Sequence, residues 1–79
     1  MTMKYYNVNM IKIQFAENLK LLLKEYDFNQ VSLSEKTGIS QSAISAWLSD
    51  KKEPSITSLW IFSDLFNCTI DELLGKKDF

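Results

Sequence analysis

Between Thr37 and Ser49 the chain carries no charge, yet it offers a run of amide and hydroxyl side chains: Gln41, Ser42, Ser45 and Ser49. A glutamine amide holds a donor and an acceptor side by side, the pattern that matches N6 and N7 of adenine, and a serine hydroxyl can donate or accept. On a helix these positions share one face, because residues three and four apart are neighbours, while Ile44 and Trp47 point the other way. Such a face suits base edges in a DNA major groove, with the Ala43 methyl available for thymine. The competing reading is a polar face that is only solvated. Other chemistry is poorly served. The chain has no histidine, no Gly-rich phosphate loop and a single cysteine, so no enzyme activity, cofactor or metal site is expected. Cys68, between Phe66 and Ile70, reads as a buried structural thiol. Asp71 and Glu72 stand at a helix start, where capping and the helix dipole explain them.

The elements that must hold this face follow from periodicity. Phe15, Leu19, Leu22, Leu23 and Tyr26 recur at helical spacing, which predicts a first helix over Ile13 to Tyr26; Asp27 breaks it and Phe28 plugs the core. Asn29 caps a second helix, Gln30 to Thr37, and Gly38 sits where the chain must reverse, a position suited to positive φ. Ser40 caps a third helix, Gln41 to Leu48. After the polar loop Asp50 to Pro54, Pro54 and Ser55 announce a fourth helix, Ile56 to Phe66. Thr69 with Glu72 forms a capping box for a last short helix, Ile70 to Leu74, closed by Gly75. The fold class is all-α, a compact five-helix bundle with a helix-turn-helix at its centre. Residues 1–12 show no helical stripe; Tyr6, Val8 and Met10 alternate with asparagines, as a short strand, an extended arm or a poorly ordered leader would. The domain is therefore placed at 13–75, with 1–12 as an N-terminal arm and 76–79 as a tail.

A chain of 79 residues makes one small domain. Domains of this size bury only about 60% of their unfolded surface, so self-association helps them. No run of 18 apolar residues exists, and MTMKYYNVNMIK lacks the apolar core of a secretory signal, so a cytoplasmic, membrane-free location is expected. Charge is the awkward feature for a nucleic-acid binder. Nine lysines, no arginine and ten acids give a net charge of −1 and a pI near 5.2. The distribution offsets this in part: Lys4, Lys12, Lys20 and Lys24 face only Glu17 in the first 24 residues, while 53–75 holds acids alone. A polarised chain can still offer DNA one positive face.

Taken in order, Gln30, Gly38, Ile44 with Trp47, Lys51-Lys52-Glu53-Pro54-Ser55 and the closing TIDELLG of 69–75 resemble the Cro/repressor type of helix-turn-helix, the XRE family, over residues 13–75. The resemblance implies a lambda-repressor-like fold in which the helix from Gln41 reads double-stranded DNA, through Gln41, Ser42, Ala43 and Ser45. Phosphate contacts would come from Gln30, Ser49, Lys51 and Lys52, and from the helix start at Ser55 and Ile56. Several positions depart from the pattern. Leu23 and Leu48 stand where many relatives pair an arginine with a glutamate, and an apolar pair avoids leaving one charge buried alone. Asp50 replaces a frequent glycine, and Ala46 a residue that is often long or basic. Ser34 replaces the usual alanine, and its hydroxyl is expected to bond back to a carbonyl of its own helix.

In the fourth helix, Ile56, Leu59, Phe62 and Phe66 make the expected core stripe, which leaves Trp60, Ile61 and Leu65 in surplus. Surplus apolar surface marks a partner, here a homodimer interface shared with the last helix; the alternative is that the N-terminal arm folds over it. The function expected is a sequence-specific transcriptional regulator, a dimeric repressor on a roughly palindromic operator. The alternative is a protein-interaction module or antitoxin-like partner with weak DNA affinity, which the acidic pI and Asp50 favour.

Overall fold

A computed structural model describes residues 5–79; the first four residues of the expected arm, Lys4 among them, lie outside the described residues. It is all-α, with α1 (Phe15–Glu25), α2 (Gln30–Thr37), α3 (Gln41–Leu48), α4 (Ile56–Leu65) and α5 (Ile70–Leu74). Among the described residues there is no strand. The alternation ahead of α1 instead holds one turn of 3-10 helix, Val8–Met10, because the Asn7 side chain accepts from the Asn9 amide at 3.0 Å and curls the chain. No helix among these residues is long and apolar enough to cross a membrane.

The helix ends obey a common chemistry. Asn29, Ser40, Ser55 and Thr69 each accept a first-turn amide at the start of α2 to α5. Asn29 does so within a reciprocal box with Ser32, and Thr69 with Glu72. Each helix stops at a left-handed residue: Asp27 (φ 58°), Gly38 (77°), Asp50 (58°), Asn67 (50°) and Gly75 (82°). Where Asp27, Asp50 and Asn67 fill that position, the next amide returns to the helix: Phe28 to the Leu23 carbonyl, Lys51 to Ala46, Cys68 to Ser63. Aspartate and asparagine tolerate this conformation better than other side chains do, so three ends need no glycine.

The start of α1 lacks a side-chain cap and is used differently. The Gln14 amide donates to the Leu74 carbonyl at 2.9 Å, and the buried Asn18 amide donates to the Glu72 and Leu73 carbonyls at 3.1 Å each. The last carbonyls of α5 are thereby satisfied by α1. The approach is tight: a Cβ on Gly75 would lie 2.8 Å from the Gln14 Cβ.

Ten apolar side chains form one core: Phe15, Leu19, Leu22, Leu23, Leu33, Ile44, Trp47, Phe62, Phe66 and Leu73. At its centre Phe15, Trp47 and Phe62 meet with ring centroids 5.9–6.2 Å apart, joining α1, α3 and α4. Leu23 is buried and Leu48 packs against the same cluster, so both apolar replacements are absorbed by the core. The Tyr26 ring lies against Phe66, and its hydroxyl donates to the Phe66 carbonyl at 3.1 Å, tying the end of α1 to that of α4.

Helix α4 differs from expectation. Its buried line runs Ser58, Phe62, Phe66, one turn apart; the Ser58 hydroxyl is paired with that of Ser55 at 2.8 Å and so tolerates burial. Ile56, two residues from Ser58, is roughly 200° around the helix and is 84% exposed instead of lying in the core. Ile61 and Leu65 are not surplus: both pack, half-buried, against the core. The outward apolar stripe is Ile56 with Trp60, the latter 73% exposed. The described part of the N-terminal arm, from Tyr5 onward, does not cover it. That part lies at the end of α5, where Tyr5, Met10, Ile11, Ile13, Leu74 and Lys76 line an open groove of about 630 Å³. Cys68 is half-buried, less enclosed than expected.

Candidate nucleic-acid interface

The candidate surface rests on the two-sidedness of α3. Ile44 and Trp47 are buried, and Trp47 meets Phe15 and Phe62 edge-on, so rotation of the helix about its axis would break the aromatic cluster. The opposite side leaves Gln41, Ser42, Ser45 and Ser49 exposed, as their spacing predicts. Ala43 stands apart from them: it is half-buried and packs against the core, so its methyl is less open to a ligand than expected.

The polar groups of this surface differ in how free they are. The Gln41 amide makes no hydrogen bond within the described residues, leaving both its donor and its acceptor for a ligand. The Ser40 hydroxyl accepts the Ala43 amide at 3.2 Å and lies 3.3 Å from the Ser42 hydroxyl, which orients Ser42 beside it. Ser49 directs its proton to the Ser45 carbonyl at 2.8 Å. It therefore presents an oxygen outward, an arrangement less suited to phosphate than a donor would be.

Lys51 and Lys52 follow at the C-terminal end of α3, where their backbone amides return to the Ala46 carbonyl at 2.9 and 3.4 Å. Both side chains are exposed, and neither ammonium group is engaged in an ion pair among the described residues. Ser55 is exposed, but its hydroxyl is occupied by the Ser58 amide and hydroxyl, so any anion there would meet the first-turn amides of α4 instead. Gln30 is exposed at the first position of α2, on a different helix from the rest. Asp50 and Glu53 are exposed in the same loop as the two lysines and reduce its positive field. Trp60, Ile61 and Leu65 belong to α4 and contribute no group to this surface.

The turn that aims α3 contains groups that periodicity alone passes over. Thr37 Oγ1 donates to the Leu33 carbonyl at 2.8 Å and accepts the Ile39 amide at 3.1 Å. Ser34 Oγ donates to the Ile39 carbonyl, so it reaches forward across the turn and not back along its own helix as expected. The visible signal was two hydroxyl residues in the last turn of a helix ending in glycine; their partners depend on how the chain closes.

With this geometry in hand, likeness to known proteins is informative. A family profile described as Helix-turn-helix matches residues 19–73. The HTH-type transcriptional activator BcrR of Enterococcus faecalis is 38% identical over 66 residues, which cover 84% of this chain and 32% of that protein. The HTH-type transcriptional regulator AnsR of Bacillus subtilis is 31% identical over 61 residues, 77% of this chain and 53% of its own length. A crystal structure of a transcriptional regulator from Listeria innocua superposes with a TM-score of 0.77 at 30% identity, covering 87% of this chain and 64% of that one. The chain thus spans between about a third and two thirds of the length of these relatives. With the family profile over most of its length and the same fold in the Listeria protein, the chain belongs to the Cro/repressor, or XRE-type, helix-turn-helix family.

Proposed function

We propose that the chain is a sequence-specific DNA-binding transcription regulator that reads base edges with α3. One observation carries this: Gln41, Ser42 and Ser45 stand exposed on the side of α3 opposite the buried Ile44 and Trp47. Gln41 is the principal base reader, with an unengaged amide at the start of the helix. Lys51 and Lys52 supply phosphate contacts, joined by Gln30 and the first-turn amides of α4. The names of the Enterococcus and Bacillus relatives, all transcriptional regulators of the HTH type, support the same reading.

The regulator acts as a homodimer, with two α3 helices entering major grooves about 34 Å apart on a roughly palindromic site. The interface includes Trp60 on the outer stripe of α4, joined by Ile56; Ile61 and Leu65 flank it from half-buried positions. Repression by occupying the site is the simplest mode for a surface of this kind. The chain is not an enzyme and works inside the cell, where DNA is.

In-vitro selection on random duplexes tests the proposal. An enriched, dyad-symmetric site whose affinity falls steeply with salt is expected. No enrichment, or binding that ignores salt, would favour the second reading: an interaction module or antitoxin-like partner. That reading draws on the net charge of −1 and on Asp50, whose carboxylate sits at the end of α3.

A further inference from the structure

We propose that Ser34 and Thr37 are positioning residues for DNA recognition: through the backbone of Ile39 they set the angle at which α3 leaves the turn. The inference rests on the base-reading role of α3 given above. Ile39 is the middle residue of the three-residue connection Gly38–Ser40 between α2 and α3. Both of its backbone polar groups are held by hydroxyls from the last turn of α2. Thr37 Oγ1 accepts its N–H at 3.1 Å, and Ser34 Oγ donates to its carbonyl.

The proton count is complete. The Thr37 proton goes to the Leu33 carbonyl at 2.8 Å, which leaves the Thr37 oxygen to accept; the Ser34 proton goes to Ile39. The Ile39 side chain packs against the core as well. One residue is thus pinned at N–H, carbonyl and side chain, immediately before the Ser40 cap from which α3 begins.

Gly38 permits the reversal through its positive φ, with nothing within 4 Å of the place its Cβ would occupy, and its N–H closes α2 by donating to the Ser34 carbonyl at 2.8 Å. That bond ends at Gly38; what fixes Ile39 beyond it is the pair of half-buried hydroxyls, where water competes less well for the same groups.

The consequence for recognition is selective. A base contact from Gln41 needs the helix placed closely, whereas lysines on flexible stems can follow a phosphate through a small change of angle. Loss of the clamp therefore lowers discrimination between sequences more than it lowers affinity for DNA in general.

The test is the double variant Ser34→Ala/Thr37→Val, which keeps apolar volume and removes both hydroxyls. Circular dichroism and urea unfolding establish that it folds. The affinity ratio between the selected site and a scrambled duplex is expected to fall about tenfold, the scale of two net hydrogen bonds. Affinity for the scrambled duplex should change by less than about twofold. A parallel loss for both duplexes, or an unchanged ratio, would overturn the proposal. Residual dipolar couplings test the clamp without DNA. The α2 and α3 amides should share one alignment frame in the unmodified chain and lose it in the double variant; a shared frame in both overturns the proposal. If the unmodified chain selects no sequence at all, base reading by α3 fails while the couplings still decide the clamp.

Discussion

Helices α3 and α4 lie on the same aromatic cluster, one through Trp47 and the other through Phe62, yet they display opposite relations between sequence and surface. In α3 the apolar residues Ile44 and Trp47 occupy one side, and the exposed side is made of amide and hydroxyl groups. In α4 apolar side chains point both inward and outward: Phe62 is buried, while Ile56 and Trp60 are exposed. Where polarity alternates with helical period, a single orientation satisfies every residue, and the outer face is set in advance. Where it does not, packing chooses which apolar residues are left outside. Those residues become the candidate contact with a second copy, just as the polar remainder of α3 becomes the candidate contact with DNA.

The sharpest way to break this contrast is to compare two apolar residues of α4. Phe62→Ala should cost about 3–5 kcal/mol, a large part of what a domain of this size has, whereas Ile56→Ala should change stability by under about 0.5 kcal/mol. Urea unfolding measures both. Comparable losses would show that α4 is rotated from the orientation described. Trp60→Lys should yield a monomer in sedimentation velocity, with a urea midpoint that no longer rises with protein concentration. Ile61→Lys should lower stability, because it forces an ammonium group onto a half-buried site. A Trp60→Lys protein that still sediments as a dimer removes α4 from the interface.

On the α3 side, Gln41→Ala should relax discrimination at one position of each half-site by about 1–3 kcal/mol while leaving non-specific affinity intact. Uniform weakening across all sequences would assign Gln41 to the phosphate backbone instead. The smallest effect concerns neither helix but the capping box at the start of α5. The Glu72 carboxylate accepts the Thr69 amide at 2.9 Å, and this bond holds its pKa below the ordinary carboxylate value. Because the folded value is the lower one, the unfolded chain takes up the proton first as pH falls. The contribution is whole above the unfolded pKa and disappears as pH drops through the folded pKa. In urea titrations from neutral to acid pH, Glu72→Gln should flatten this part of the stability loss. An unchanged acid slope would show that the bond does not couple to folding.

The same two helices show why some features were legible and others were not. Caps at Asn29, Ser40, Ser55 and Thr69 were readable because the capping side chain and the amide it serves lie within three residues. The four exposed polar positions of α3 were readable for a similar reason, since one helical period relates them. The burial of Ser58 was not, since a serine is tolerated there only through its pairing with Ser55. The role of Asn18 was equally hidden: its partners at Glu72 and Leu73 are more than fifty residues away in the chain.

By itself, then, the amino-acid order determined the five helices, the capped starts of α2 to α5, the reversal at Gly38 and the polar side of α3, because each depends on groups within about one turn of one another; the uncapped start of α1 came at Phe15, two residues later than periodicity placed it. Tertiary structure alone decided which apolar face of α4 remains outside, where the arm lies, and that Ser34 reaches forward to Ile39 instead of back along α2. Those outcomes depend on which distant surfaces meet, and on desolvated polar groups finding partners only once the core has closed around them.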